Sequence, residues 1–190
     1  MSRSRFIAAY ITGHSVRGCT GLSQEQRDFQ QRTDIPAGQW LPHNFPYHAT
    51  FPFPENFPLL RASVNNVLHY TRSRLASFAK THRAAVAQVL DPYDTILLLA
   101  GSCGLELFNN LGLPAALRQR IHLFACGPVS RRLPDVASHL LVQGTHDWLS
   151  RLYHPRVDHR YPCPHMGYLR APETLALFNA CHHRVTATTA

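Results

Sequence analysis

Three residues of this chain have the types and the order that acyl-transfer chemistry needs. Ser102 sits in Ala100-Gly101-Ser102-Cys103-Gly104, Asp147 ends Gln143-Gly144-Thr145-His146-Asp147, and His165 ends Pro162-Cys163-Pro164-His165. A serine hydroxyl attacks an acyl carbon when a base takes its proton, and an acid orients that base. Small residues two places before and after Ser102 permit a sharp turn that holds the serine in a strained backbone conformation. Alanine in place of the first glycine meets the same need. The order along the chain is nucleophile, acid, histidine.

Each role has a rival. Cys103 could be the nucleophile, but its flanks are Gly101 and Leu105, a bulkier turn on one side. Asp158 could be the acid, yet it lies within a strand pattern and not in a turn. His14 and His146 fall near strand ends and could touch a substrate. Cys103, Cys126, Cys163 and His165 are of metal-ligating type. Their scattered spacing matches no metal motif, so no metal is expected, and serine–histidine–aspartate chemistry requires no organic cofactor.

The elements that must position these groups follow from the hydrophobic pattern. Thr95–Leu99 is a short apolar run, as in a strand buried on both faces, and the pattern turns helical at once after Gly104. Strand, serine turn, helix is the setting of a nucleophile elbow. Phe6–Ile11, Ile121–Cys126, His139–Val142 and, more weakly, Val157–Tyr161 read as further strands, and Gln39–Leu41 as a short one. Ser23–Gln31 reads as a helix opened by a capping box of Ser23 and Gln26. Apolar residues from Leu60 to Val89 recur at three- and four-residue steps, predicting a long amphipathic helix broken near Thr71–Ser73. Short helices are expected at Ala115–Gln119 and Glu173–His182. Strands alternating with helices imply a three-layer α/β sandwich: a mainly parallel sheet of about five to six strands, with helices on both faces. Functional groups in such sheets gather at the carboxyl ends of the strands. Those ends carry Gly13-His14, Ser102, Cys126-Gly127, Asp147 and His165.

Three segments, L-L-L-A-G-S-C-G, H-L-L-V-Q-G-T-H-D and C-P-H-M-G-Y-L, resemble landmarks of the α/β-hydrolase superfamily. They are similar to its nucleophile elbow, its acid-bearing G-x-x-D turn and its histidine loop before the terminal helix. The resemblance covers Asp94 to the C-terminus, and the N-terminal half by pattern only. It implies Ser102 as nucleophile, His165 as base and Asp147 as acid. It also implies an oxyanion hole from the backbone N–H of Cys103, with a second donor at His14 or Ser15. The chain departs from the family pattern in leaving no room for opening antiparallel strands before Phe6. It carries no cap insertion. His165 follows Asp147 by only 18 positions, so the helix usual there is expected to be reduced to a loop.

Length and composition set outer bounds. The 190 residues fit one domain, 1–190, with a substantial core. The formal charge is +8, but the cations, all arginine except Lys80, are scattered with no basic stripe among aromatics, which disfavours nucleic acid as a partner. Five cysteines without C-x-x-C spacing point to free thiols in a reducing compartment, and the short N-terminal apolar run to neither leader nor membrane span. The chain is therefore expected to be cytoplasmic, without a membrane partner; a homodimer is left open. The stretch Ile35–Phe53 is crowded with rings and prolines. It either covers the core or, through Tyr47 and Phe51 together with Cys126, forms an acyl-binding wall. The expected activity is that of a serine esterase or thioesterase on a small acyl or aromatic substrate. Two other readings compete: a catalytically silent hydrolase-like binding module, and a phosphate-binding α/β domain using the Gly101–Gly104 turn, which lacks the Walker lysine.

Overall fold

The computed structural model describes residues 5–187. The elements in chain order are β1 (Phe6–Thr12), α1 (Gln24–Arg32), α2 (Leu59–Ser73), α3 (Ala76–Leu90), β2 (Thr95–Gly101), α4 (Gly104–Leu111), α5 (Ala115–Arg118), β3 (Ile121–Cys126), β4 (Ser138–Gly144), α6 (Trp148–Tyr153), β5 (His159–Tyr161) and α7 (Pro172–Ala187). Among the described residues, five strands form one all-parallel sheet in the order β1-β2-β3-β4-β5.

Alternation along each strand divides the core in two. Ile7, Ala9 and Ile11 of β1 and Ile96, Leu98 and Ala100 of β2 pack beneath α3, α4 and α5. Tyr10, Leu97 and Leu99 face the other way, onto Phe29 of α1 and Phe178, Cys181 and Val185 of α7. Both faces are covered, which is why the strands read as unbroken apolar runs. The three-layer α/β architecture expected from the pattern is present.

Register then sets the functional edge. Thr12 lies beside Gly101, Gly101 beside Cys126, Cys126 beside Val142, and Gly144 beside Tyr161. The segments that follow these strands, at 13–15, 102–103, 127–129, 145–147 and 162–165, all emerge at one end of the sheet.

The turn into α4 depends on a close approach. A Cβ on Gly104 would lie 1.8 Å from the Ile11 carbonyl oxygen, so β1 and α4 pack at a separation that no side chain fits. Gly104→Ala should therefore destabilise the protein by about 3 kcal/mol or more, because backbone and not a flexible side chain must move. Gly38→Ala, with open space at its Cβ, should be near neutral. Denaturant unfolding of the two variants measures the difference.

Four elements differ from the sequence reading. The stretch Gln39–Leu41 is not a strand: Ala37–Gln39 forms a 3-10 turn, and Trp40 makes a lone parallel bridge to Ala8. Pro42 has no N–H with which to extend that pairing. The long helix is two helices, and the break falls at Arg74-Leu75, where Leu75 is extended (ψ 143°). Thr71 and Ser73 hydroxyls bond back to carbonyls of α2 just before it, competing with the helix ladder. Between Asp147 and His165 there is a helix, the six-residue α6, whose N-cap is Asp147 itself. The closing helix α7 also runs past His182, to Ala187.

Candidate active site

Ser102 is one of two non-glycine residues with positive φ among those described, at φ 51°. β2 must turn directly into α4, and this left-handed residue makes the turn. Its N–H donates to the Cys126 carbonyl at 3.0 Å, and its carbonyl accepts from the Val129 N–H at 3.0 Å. The turn is thus clamped to the end of β3. Strain at a single polar side chain, held by surrounding structure, is a mark of a functional turn.

The ring of His165 stands between the other two residues. Nε2 lies 2.9 Å from Ser102 Oγ, and Nδ1 lies 2.8 Å from Asp147 Oδ2. Asp147 is fully buried. Its Oδ1 accepts from the Ser150 N–H at 3.0 Å, and its Oδ2 also accepts from the Tyr168 hydroxyl at 2.6 Å. Burial pushes the Asp147 carboxyl up. Hydrogen bonds from His165, the Ser150 N–H and Tyr168 outweigh burial and hold it below its ordinary value. The carboxylate is therefore charged beside the imidazole, which fixes the Nδ1–H tautomer and leaves the Nε2 lone pair toward Ser102.

Burial pushes the Cys103 thiol up to about 12, against hydrogen bonds from the backbone of Cys103 and Gly13, so it is not a thiolate near neutral pH. Asp158 accepts from the Leu141 N–H at 2.7 Å and pins β5 to β4. His146 is exposed.

Above Ser102 opens a cavity of about 480 Å³. Cys126 is in its wall. Tyr47 and Phe51 are not, which corrects the expectation for both. Tyr47 packs in the core against Phe45, with ring centroids 6.3 Å apart, and Phe51 is half exposed. The wall comes instead from Phe53, from Asn66, Val67 and Tyr70 of α2, and from Leu149 and Tyr153 of α6. Tyr168 is the other omission. It braces Asp147 and accepts the Gly144 N–H at 2.7 Å, yet in the sequence it is one tyrosine among seven.

At the oxyanion side, Cys103 follows the serine as α4 begins. The His14 N–H, expected as the second donor, instead donates to His69 Nδ1 of α2 at 3.1 Å. Asn65 Nδ2 donates to the Ser15 carbonyl at 2.8 Å, and Asn66 Nδ2 to Ser15 Oγ at 3.3 Å. Three side chains of α2 are therefore fastened to the turn after β1. His69 is held neutral: burial, then the neighbouring His14, His82 and Arg72, lower its pKa to about 3. An unfolded histidine titrates near 6.5, so below that pH the unfolded chain takes up a proton the folded chain refuses. The stability due to a neutral His69 is complete above about pH 6.5 and is lost as pH falls toward 3. His14 and His82 are shifted in the same direction. His69→Gln should flatten this acid limb, read as Tm against pH from 7 to 4.

A five-stranded parallel sheet whose second strand ends in a left-handed serine, with an aspartate and a histidine following the ends of later strands, resembles an α/β-hydrolase fold. The chain is similar to a Xanthomonas campestris α/β serine hydrolase without lid, at 17% identity and TM-score 0.48 over 97% of this chain and 83% of that one. It is also similar to an Agrobacterium tumefaciens protein of unknown function described as a candidate α/β hydrolase, at 14% identity and TM-score 0.44 over 99% and 88%. No family model matches the chain. No curated protein matches it either.

Proposed function

We propose that this protein is a serine hydrolase that cleaves an ester or thioester of a small acyl or aromatic substrate through an acyl-enzyme. The observation that carries the reading is the continuous chain Ser102 Oγ–His165 Nε2 at 2.9 Å and His165 Nδ1–Asp147 Oδ2 at 2.8 Å, on a strained serine at a cavity floor. Ser102 Oγ attacks the acyl carbon while Nε2 takes its proton. Asp147 steadies the imidazolium, which then protonates the leaving oxygen or sulfur. Water enters, His165 takes its proton as the water oxygen bonds the acyl carbon, and the imidazolium returns that proton to Ser102 Oγ as its bond to the acyl carbon breaks and the acid departs. The Cys103 N–H faces the developing oxyanion.

One observation favours the silent-module reading: His69 engages the His14 N–H, the group otherwise expected at the oxyanion. A fluorophosphonate probe separates the two readings. Mapping the label to Ser102 supports the hydrolase, and folded protein that takes no label supports the binding module.

A further inference from the structure

The amphipathicity of α2 is inside out. Its half-buried and buried positions are Ala62, Asn65, Asn66, His69, Tyr70 and Ser73, a stripe at helical spacing. Asn65, Asn66 and His69 of that stripe hydrogen-bond to His14 and Ser15, and Ser73 accepts from Asn110 Nδ2 at 3.0 Å. The apolar residues face outward: Leu59 is 74% exposed, Leu60 79%, and Val64, Val67 and Leu68 lie beside them at 52%, 61% and 41%. A helix on a globular protein ordinarily does the reverse. The exposed face continues around the cavity mouth. Tyr70 of α2 meets Tyr153 of α6 with ring centroids 6.1 Å apart, and both line the cavity. On α6, Trp148 is 70% exposed and Leu152 73%.

Charge accompanies this surface. From Asn56 to Leu90 the chain holds Arg61, Arg72, Arg74, Lys80 and Arg83 and no acidic residue, and from Trp148 to Val157 it holds Arg151 and Arg156 and none. Arg74 is paired with the buried Glu106 at 3.7 Å and the exposed Glu55 precedes this stretch, so the exposed cations of α2 and of the α6 segment are Arg61, Arg72, Arg151 and Arg156. An apolar rim of net positive charge, set around the opening of an acyl-sized cavity, matches the interface of an anionic lipid bilayer: hydrocarbon below, negative headgroups beside it. A protein partner of stated charge would have to be acidic at its edges and apolar at its centre, and nothing here favours that over lipid.

We propose that the outer faces of α2 and α6 dock on an anionic membrane surface, with the cavity mouth turned toward it. No described helix is long and apolar enough to cross a membrane, and peripheral docking needs none. The proposal departs from the sequence-based expectation of no membrane partner. Where the hydrolase reading also holds, and resting on it, the substrate is a water-insoluble acyl ester that enters from the bilayer.

The test is co-sedimentation with vesicles of phosphatidylcholine with and without phosphatidylglycerol, using the full chain and its Ser102→Ala variant, so that the outcome does not depend on hydrolysis. Binding should require the anionic lipid, weaken with salt, and be the same in both proteins. Leu60→Ser, Val64→Ser and Leu68→Ser combined should lower binding about tenfold or more, at unchanged Tm and unchanged turnover of a soluble short ester. If that triple variant does not fold, Arg61→Gln with Arg72→Gln should reduce binding to anionic vesicles only. Absence of binding to either vesicle overturns the proposal. So does a dimer in solution that the triple variant dissociates, since a second copy then covers the face.

Discussion

Replacing Ser102 with alanine should remove nearly all turnover of short p-nitrophenyl esters, a fall of order 10³-fold or more, with substrate binding and melting temperature little changed. The effect is this large because the covalent route ends with the hydroxyl: His165 has no proton to take, and water in its place lacks the fixed approach along the elbow. Folding should tolerate the change well. The left-handed backbone at φ 51° is as awkward for alanine as for serine, and the main-chain bonds to Cys126 and Val129 are independent of the side chain. Single-turnover and steady-state rates of purified variant and parent decide the matter. Equal rates would place the chemistry elsewhere.

Asp147→Asn should cost of order 10³- to 10⁴-fold in kcat while KM changes little. The carboxylate accepts from three donors, His165 Nδ1, the Ser150 N–H and the Tyr168 hydroxyl. An asparagine keeps one acceptor oxygen and brings an amide NH2. Turned toward His165, that NH2 forces the proton onto Nε2, and the base faces Ser102 already protonated. Turned toward Ser150, it opposes a backbone donor at the start of α6. Loss of charge also leaves the imidazolium uncompensated in a buried site. A rate lost far more than stability, compared through kcat and unfolding midpoint on one preparation, is the expected signature.

The sheet is legible where its strands are buried on both faces, and least so at β5, where His159 and Arg160 are exposed. Thr95–Leu99 or Ile121–Cys126 can be little other than a parallel strand, and once the strands are placed their carboxyl ends gather Ser102, Asp147 and His165 on one edge. The cavity wall was not legible, for two physical reasons. Helical spacing reports that a face is apolar but not which way it points, so α2 reads as a core helix when its polar stripe is the one turned inward. Rings crowded among prolines tend to be buried, but the pattern does not say which or against what: Phe53 of this stretch joins the cavity wall, whereas Tyr47 packs in the core and Phe51 is half exposed. Tyr168 is set by a contact across 21 residues of chain that no local signal marks. The six-residue α6 escaped because its start rests on Asp147, which serves as N-cap and as partner of His165 at once.

The attachment of Trp40 to Ala8 has a consequence beyond the site. β1 is the outermost strand on its side of the sheet, seven residues long and apolar on both faces, with one row of backbone donors and acceptors turned away from β2. Such an edge is a template for a strand from another molecule. Here the Leu41 N–H reaches the Ala8 carbonyl at 2.9 Å, the Phe45 N–H the Tyr10 carbonyl at 3.3 Å, and the Asn44 side chain accepts the Thr12 N–H at 3.0 Å. The proline-rich stretch occupies the edge without being able to continue as a strand, because Pro42 and Pro46 have no N–H to give. It acts as a terminator of the sheet, and the residues that make it a poor strand are what keep one molecule from adding to the next.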